Sequence, residues 1–249
     1  MRAIVLAAGR GSRMGEQTRL RPKCLTQFAG QALLDWQLQA LRGAGIREIA
    51  VVRGYLAELV ARPSLSYFEN TRWADTNMVA SLTCAAPWLE ASECVVSYSD
   101  IIYPADHVRV LGGASGDIVV AYDTKWLELW SRRFADPLSD AETFRIDAHG
   151  TLTEIGNRPK TLEEIEGQYL GLLKFTPAGW RQVLDLNAAL PPARRDRIDM
   201  TGMLKELIAH GAKIRTVPVA GAWYEIDSES DLKLYTEWVR KNDGAIWAR

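Results

Sequence analysis

The chain has 249 residues, 47% of them hydrophobic, and its 30 lysines and arginines balance 31 aspartates and glutamates to a net charge of −1. This length predicts a single domain over residues 1–249, and the charge balance excludes the basic excess on which non-specific nucleic-acid binding depends. Because no apolar run is long enough for a membrane helix, and three cysteines lack disulfide or zinc-site spacing, we expect a cytoplasmic protein with neither nucleic-acid nor membrane partners.

Apolar runs alternate with segments of helical periodicity along most of the chain. In chain order, the pattern predicts strands over 3–8, 48–52, 94–98, 116–121, 167–175 and 213–219, and helices over 33–41, 77–89, 178–190, 200–210 and 230–241. Such alternation predicts an α/β fold with a Rossmann-like, doubly wound, mostly parallel mixed sheet. Within it, residues 143–156, TFRIDAHGTLTEIG, predict a small β-hairpin insertion. The stretch 191–196 is expected to be a loop.

The stretch LAAGRGSRMGEQTRLRPKCL, residues 6–25, directly follows the first predicted strand. A loop in this position lies at the carboxyl end of a strand, where open α/β sheets bind ligands. Gly9 and Gly11 leave room for backbone N–H groups to approach an anion, which suits a polyphosphate. Position 14 is not the Gly or Ala of a dinucleotide fingerprint, and Lys23 follows Pro22 rather than the Gly of a Walker A loop. A glycine turn that only reverses the chain is the alternative.

The pattern of a strand, LAAGxGxR, a spacer and Pro-Lys resembles the signature of the nucleotidyltransferases that build NDP-sugars and CDP-alcohols, which have the nucleotide-diphospho-sugar transferase type of fold. The resemblance extends over the whole chain. It implies catalytic roles for Arg13, which would hold the β- and γ-phosphates with the loop amides, and for Lys23, which would neutralise the reacting phosphates. It also implies nucleotide contacts for residues of the loop and the strand before it, namely Leu6, Ala8, Gly9, Gly11 and Ser12.

Two aspartates correspond to metal ligands in this family. Asp100 ends the segment VVSYSD after a predicted strand, and Asp227 lies in WYEIDS near the C-terminus. The resemblance implies that both bind Mg²⁺, which screens the repulsion between an anionic nucleophile and the α-phosphate. From the residues alone, each aspartate could instead be the N-cap of a helix that begins directly after it.

Within this family, the motifs are most similar to those of phosphocholine cytidylyltransferases and their relatives that act on phosphonates. The segment DTNMVASL, residues 75–82, resembles a region that contacts the nucleotide in those enzymes. Asn77 and Ser81 are four positions apart, so a helix would place both on one face. An Asn77 that only caps a helix is the alternative.

The acceptor side rests on the segment after the hairpin. Family members often carry Lys-Pro there, with the lysine at the acceptor phosphate, whereas residues 157–160 of this chain read NRPK. Arg158 is expected in that position, with Lys160 as the alternative, because a planar guanidinium can bind phosphate or phosphonate with two hydrogen bonds. By resemblance, Gln168 and Tyr169 enter a strand that lines the acceptor site. A turn before a buried strand is the alternative.

The resemblance therefore implies a Mg²⁺-dependent cytidylyltransferase that joins CTP to a small phosphorylated alcohol or phosphonate and releases pyrophosphate. The alternative is a sugar-1-phosphate nucleotidylyltransferase that uses UTP or dTTP. The partners are then CTP or another NTP and a small phosphate- or phosphonate-bearing substrate, and the sequence leaves a homo-oligomer open. Because no nucleophile or ligand spacing surrounds the histidines, we expect surface or capping roles for His107, His149 and His210.

Overall fold

The computed structural model describes residues 1–242 and residue 246. Its strands are β1 (Arg2–Ala7), β2 (Gln27–Phe28), β3 (Gln31–Ala32), β4 (Ile49–Arg53), β5 (Ser66–Glu69), β6 (Cys94–Tyr98), β7 (Ile101–Ile102), β8 (Ile118–Asp123), β9 (Phe144–Ile146), β10 (Leu152–Ile155), β11 (Gln168–Phe175), β12 (Ile214–Val219) and β13 (Tyr224–Glu225). Its α-helices are α1 (Leu33–Gly43), α2 (Met78–Thr83), α3 (Ala86–Ala91), α4 (Ala105–Gly113), α5 (Trp126–Arg133), α6 (Pro177–Ala189), α7 (Pro192–Arg197), α8 (Met200–Ala209) and α9 (Glu229–Lys241).

Among the described residues, seven strands form the central sheet in the order β12-β8-β11-β6-β1-β4-β5. Neighbouring strands are parallel except at β11, which runs antiparallel between β8 and β6. Every residue of β8 is buried, as are five of the six in β1, and such continuous burial is typical of strands covered on both faces. The predicted mostly parallel mixed sheet of an α/β fold is confirmed. The single domain over residues 1–249 stays a prediction.

The predicted hairpin is formed by β9 and β10, which pair antiparallel. At its tip, a carboxylate oxygen of Asp147 accepts hydrogen bonds from the backbone N–H groups of His149 and Thr151, both at 2.8 Å. Gly150 has φ of +74°, which glycine adopts without steric cost. The sequence signal at Ala148-His149-Gly150 therefore marked the turn correctly.

Three sequence-based expectations are wrong in detail. The helix expected over 77–89 is divided, because Pro87 has no backbone N–H to donate within a continuous helix and instead lies in the first turn of α3. The loop expected over 191–196 is largely α7, whose first turn begins with a proline. His107 is buried within α4 rather than at the surface. No helix within residues 1–242 is long and apolar enough to cross a membrane.

The fold brings distant segments together at the carboxyl ends of two central strands, β1 and β6. Parallel β1 and β6 are neighbours, so the loop after β1 and the residues after β6 emerge side by side. The short strands β7 and β13 then pair antiparallel, with Tyr224 opposite Ile102 and Glu225 opposite Ile101. The N–H of Ile226 donates to the carbonyl oxygen of Asp100 at 2.8 Å, which extends this pairing. The C-terminal part of the chain is thus fixed beside the end of β6.

Candidate active site

The loop after β1 is anchored by two buried side chains, Met14 and Thr18. The hydroxyl of Thr18 donates to the carbonyl oxygen of Gly11 at 3.0 Å. Gly11 has φ of +74°, and a Cβ there would lie only 2.6 Å from Cβ of Lys23. A Cβ at Gly9 would meet no atom within 4 Å. Gly11 therefore serves the internal packing of the loop, whereas Gly9 leaves open space through which a ligand can approach the backbone.

Lys23 lies between two carboxylates, and its side chain is only 7% exposed. Its Nζ is 2.9 Å from Oδ2 of Asp100 and 2.6 Å from Oδ1 of Asp227. Burial lowers the pKa of Lys23, but the charges and hydrogen bonds of the two aspartates outweigh burial and raise that pKa above its usual value. Arg13 pairs with the other oxygen of Asp227 while its side chain remains 74% exposed. Two cationic groups thus converge on one pair of carboxylates.

Neither aspartate caps a helix, so the capping alternatives are wrong. Asp100 precedes strand β7, and the N-cap of α9 is Ser228, which forms a capping box with Asp231. Oδ1 of Asp100 is buried without a hydrogen-bond partner in the described structure. The pair therefore supplies carboxylate oxygens, one of them unused, around a single cationic position.

These two carboxylates fit one Mg²⁺ ion whose coordination is completed by other oxygens. In the described part of the chain, no group of three or more histidine, cysteine, aspartate or glutamate side chains could hold a metal. Mg²⁺ is commonly bound by one or two carboxylates together with substrate phosphates and waters rather than by an all-protein cage. Asp100 and Asp227 are therefore suited to an ion that arrives with a polyphosphate.

A second ion-pair network holds the segment that carries Asp227. Arg133, with a side chain 3% exposed, lies 2.5 Å from Oε2 of Glu225 and 2.9 Å from Oδ1 of Asp231. The other oxygen of Asp231 accepts from the backbone N–H of Asp227 at 3.2 Å and of Ser228 at 2.9 Å. Burial raises the pKa of Glu225 to about 7 although the charge of Arg133 lowers it. The network fixes the turn between β13 and α9.

A cavity of about 230 Å³ opens in front of the two aspartates. Its lining residues come from the loop after β1, the end of β6, the start of β11, the segment before the hairpin, the helices α2, α5 and α8, and the turn after β13. They are Arg13, Met78, Tyr98, Asp100, Trp130, Asp140, Glu142, Gln168, Tyr169, Leu170, Gly171, Asp199, Thr201, Glu225 and Asp227. We call this cavity the cleft. A larger cavity of about 430 Å³ is lined by α5, α9 and residues 220–224, and it contains none of the predicted site residues. The cleft is therefore the candidate active site.

The side chains of Asn77 and Ser81 are bonded within the protein. Oδ1 of Asn77 accepts from the N–H of Met78 at 2.8 Å, and its Nδ2 donates to the carbonyl oxygen of Arg197 at 3.2 Å. The hydroxyl of Ser81 accepts from Nδ2 of Asn70 at 2.9 Å. The capping alternative for Asn77 is confirmed, and the nucleotide contact of both residues stays a prediction.

The four predicted acceptor residues lie in three different places. Gln168 and Tyr169 line the cleft, but Gln168 is 5% exposed and its Nε2 donates to the carbonyl oxygen of Glu142 at 2.7 Å. Arg158 is exposed and lines a shallow depression that adjoins the cleft at Glu142. Lys160 lines neither surface. The structure thus brings Arg158, rather than Lys160, to the rim of the cleft, and a substrate contact of each residue stays a prediction.

Several carboxylates of the cleft were missed by sequence reasoning, namely Asp140, Glu142, Asp199 and Glu225. Asp140 and Glu142 lie in an irregular segment without periodicity, so no local pattern marks them. Asp199 is the N-cap of α8, which is a structural signal rather than a functional one. Glu225 stands two residues before Asp227, and that proximity was the one available clue.

Comparisons with known proteins agree on one family. Residues 3–153 match a MobA-like NTP transferase domain. A CTP:phosphoglutamine cytidylyltransferase of Campylobacter jejuni is 36% identical over 95% of this chain and 100% of its own length. A 2-aminoethylphosphonate cytidylyltransferase of Lancefieldella rimae is 33% identical over 49% of this chain and 56% of its own. The inositol-1-phosphate CTP transferase structure from T. maritima covers 94% of each chain with a TM-score of 0.75 at 20% identity, which concerns the fold.

Proposed function

The chain belongs to the family of MobA-like NTP transferase domains and is a nucleotidyltransferase, and we propose that it is a Mg²⁺-dependent cytidylyltransferase that joins CTP to a small phosphorylated alcohol or phosphonate and releases pyrophosphate. The observation that carries this proposal is the cluster of Lys23, Asp100 and Asp227 beside the cleft. The choice of CTP is supported by the two cytidylyltransferases to which the chain is similar.

The cationic side chains have distinct tasks in this reaction. An oxygen of the acceptor phosphate or phosphonate attacks the α-phosphorus of CTP, the bond to the oxygen that bridges to the β-phosphate breaks, and pyrophosphate leaves. Arg13, exposed beside Asp227, can reach the leaving phosphates together with the loop amides near Gly9. The buried ammonium of Lys23 stabilises charge on the transferring group from a fixed position.

The two aspartates would hold Mg²⁺, which neutralises phosphate charge and polarises the group being transferred. Lys23 counters the repulsion between Asp100 and Asp227, so both carboxylates stay poised near the nucleotide. Arg133 and Asp231 keep the backbone at Asp227 in place. The protein therefore contributes a rigid, charged frame for the triphosphate.

The side chain of Asn77 is bonded to Met78 and Arg197, and its contact with the cytosine base stays a prediction. Cytosine presents an amino donor where uracil has a carbonyl. A site that accepts a hydrogen bond from this amino group would leave its buried acceptor unpaired when UTP binds. That costs about 1–3 kcal/mol, which corresponds to roughly a tenfold to hundredfold preference for CTP over UTP.

The test is a competition assay with equimolar CTP and UTP and a panel of phosphonates, phosphorylated alcohols and sugar-1-phosphates, read by mass spectrometry of the product. We expect products linked to CMP to predominate by at least about tenfold. Products linked to UMP, formed with sugar-1-phosphates, would instead assign the chain to the sugar-1-phosphate nucleotidylyltransferases.

The acceptor contact of Arg158 is tested separately. Arg158→Ala is expected to raise KM for the acceptor more than KM for CTP, because its guanidinium lies at the rim of the cleft. Arg181→Ala, which changes an exposed arginine of α6, is the matched control. A larger acceptor effect from Lys160→Ala would assign the phosphate contact to Lys160.

A further inference from the structure

Both ends of the loop after β1 are held by one residue that lies outside the loop. We call residues 9–21 the glycine loop. The backbone N–H of Tyr55 donates to the carbonyl oxygen of Ala8, directly before the glycine loop, at 2.9 Å. The hydroxyl of Tyr55 donates to the carbonyl oxygen of Arg19, near the end of the loop, at 2.6 Å. A single tyrosine thus joins the beginning of the glycine loop to its end.

The position of Tyr55 follows from the strand order and from a close backbone approach. β1 and β4 are parallel neighbours, so the residues that follow the two strands emerge together. A Cβ at Gly54 would lie 2.8 Å from the carbonyl oxygen of Ala8 and 2.6 Å from Cβ of Trp73. Glycine permits this approach because it has no side chain. Gly54 therefore brings the next residue, Tyr55, to the base of the glycine loop.

The ring of Tyr55 also contacts a second segment, the turn after β5. The rings of Tyr55 and Trp73 meet edge to face, with 5.1 Å between their centroids and 64° between their planes. Buried Asn70 fixes this turn, because its carbonyl oxygen accepts from the N–H of Trp73 at 3.2 Å and its Nδ2 donates to the hydroxyl of Ser81 at 2.9 Å. The guanidinium of Arg10 lies 5.8 Å from the centre of the Tyr55 ring. The tyrosine thus rests on a fixed segment while it holds the glycine loop.

The other restraints on the glycine loop are of a different kind. Thr18, which bonds to Gly11, lies within the loop itself. Arg13 pairs with Asp227, but its side chain is largely exposed, and an exposed ion pair contributes little. This pair also has to open when Arg13 binds phosphate. Within residues 1–242, no side chain outside the glycine loop other than Tyr55 hydrogen-bonds to the loop backbone.

We propose that Tyr55 is a positioning residue, which holds the glycine loop in the conformation where its amides and Arg13 bind the phosphates of the nucleotide. This inference rests on the proposed function and adds to it a residue that acts through the backbone of Arg19 rather than by contact with substrate. Loss of the Tyr55 hydroxyl should weaken the binding of CTP and leave the binding of the acceptor unchanged.

The first measurement separates the two substrates. Tyr55→Phe removes the hydroxyl and keeps the ring against Trp73, and KM for CTP should rise about threefold to tenfold, the effect of one neutral hydrogen bond. The values of kcat and of KM for the acceptor should stay close to those of the wild type, because only nucleotide binding is affected. Tyr67→Phe is the matched control, since the Tyr67 hydroxyl bonds to the backbone of Arg62 and not to the glycine loop. It should leave KM for CTP unchanged.

The second measurement reports on the glycine loop without any turnover. The carbonyl group held by Tyr55 belongs to the peptide bond between Arg19 and Leu20, which trypsin can cleave, and Leu20 is 76% exposed. Proteolysis of a native protein follows the population of locally open states. Trypsin should therefore release residues 1–19 about threefold to tenfold faster from Tyr55→Phe than from the wild type or Tyr67→Phe, as read by mass spectrometry.

The outcomes separate the inference from the proposed function. An unchanged KM for CTP or an unchanged rate of cleavage after Arg19 in Tyr55→Phe overturns the inference and leaves the proposed function standing. A rise in KM for CTP and for the acceptor together, with a lower melting temperature, assigns the hydroxyl to general stability and also overturns the inference. If the wild type releases no pyrophosphate with any NTP and acceptor, the proposed function is contradicted and the inference with it.

Discussion

Gly11 and Lys23 depend on each other although they lie twelve positions apart. The aliphatic part of the Lys23 side chain passes 2.6 Å from the point where a Cβ of residue 11 would be. Because residue 11 has no side chain, the Lys23 side chain can follow this path, and its ammonium reaches both Asp100 and Asp227. The identity of one loop residue therefore controls where a buried charge lies.

Gly11→Ala should lower the free energy of unfolding by about 1–3 kcal/mol, because alanine at φ of +74° is strained and its methyl group displaces Lys23. Turnover should fall with it. Gly9→Ala is the matched control for stability, since its methyl group meets no atom, but it should raise KM for CTP by filling the space for ligand approach. Thermal unfolding and steady-state kinetics measure both effects. Equal stability of the two variants would contradict this explanation of Gly11.

Arg13→Ala and Lys23→Ala should each lower turnover by about 10²–10³-fold, the effect of deleting one preorganised group that stabilises charge. Their stabilities should differ. Arg13 is largely exposed, so its loss leaves the melting temperature unchanged, whereas loss of Lys23 leaves two carboxylates facing each other without their shared cation. Near-wild-type rates in both variants would refute the assignment.

The short strands β7 and β13 determine the position of one of the two carboxylates. Their pairing, extended by the hydrogen bond from Ile226 to Asp100, is what places Asp227 beside the end of β6. Buried Arg133 then fixes the turn that follows through Asp231. The backbone that carries the two carboxylates is held by these hydrogen bonds, so it needs little rearrangement when a cation binds.

Asp100→Asn and Asp227→Asn should each weaken activation by Mg²⁺ and raise the metal concentration needed for half-maximal rate, because an amide keeps the shape but loses the charge that holds the ion. Neither residue caps a helix, so the change does not act through capping. Titration of pyrophosphate release with MgCl₂ and with MnCl₂ measures the effect. Asp106→Asn, an exposed aspartate of α4, is the control. Wild-type metal curves in both site variants would remove these aspartates as ligands.

At the scale of the whole molecule, α4 packs against four strands of the central sheet, β6, β8, β11 and β12, and it carries a buried titratable group. Burial lowers the pKa of His107 to about 4, although the charges of Asp123 and Asp106 raise it. Its Nδ1 has no hydrogen-bond partner within the described chain. The folded protein therefore keeps this imidazole neutral at pH values where the unfolded chain protonates it.

This difference predicts how stability depends on pH. Between about pH 6.5 and pH 4 the unfolded chain binds a proton that the folded chain does not, so His107 lowers stability as pH falls through that range and has no such effect above it. The loss should reach about 3 kcal/mol at pH 4, from roughly 1.4 kcal/mol per pKa unit. His107→Gln should abolish it. Chemical denaturation at pH 4 to 8 measures the difference between variant and wild type, and parallel curves would contradict the prediction.

The sequence alone determined those features that neighbouring residues encode. The strand, the glycine loop and Pro-Lys identified the family, and period-two and helical patterns predicted most elements of the sheet, because local periodicity reflects which face of an element is buried. Short or irregular segments, such as β5 and α7, left no such pattern. These were the parts of the fold that could not be predicted.

Only the tertiary structure decided which residues meet. Lys23 and Asp227 are 204 positions apart, and their contact follows from the neighbouring positions of β1 and β6 and from the pairing of β7 with β13. The carboxylates of the cleft likewise come from segments that share no motif, and Asn77 bonds to Arg197 because α7 packs against α2. Contacts between distant segments depend on strand order and on helix packing, and neither is written in the residues around any single position.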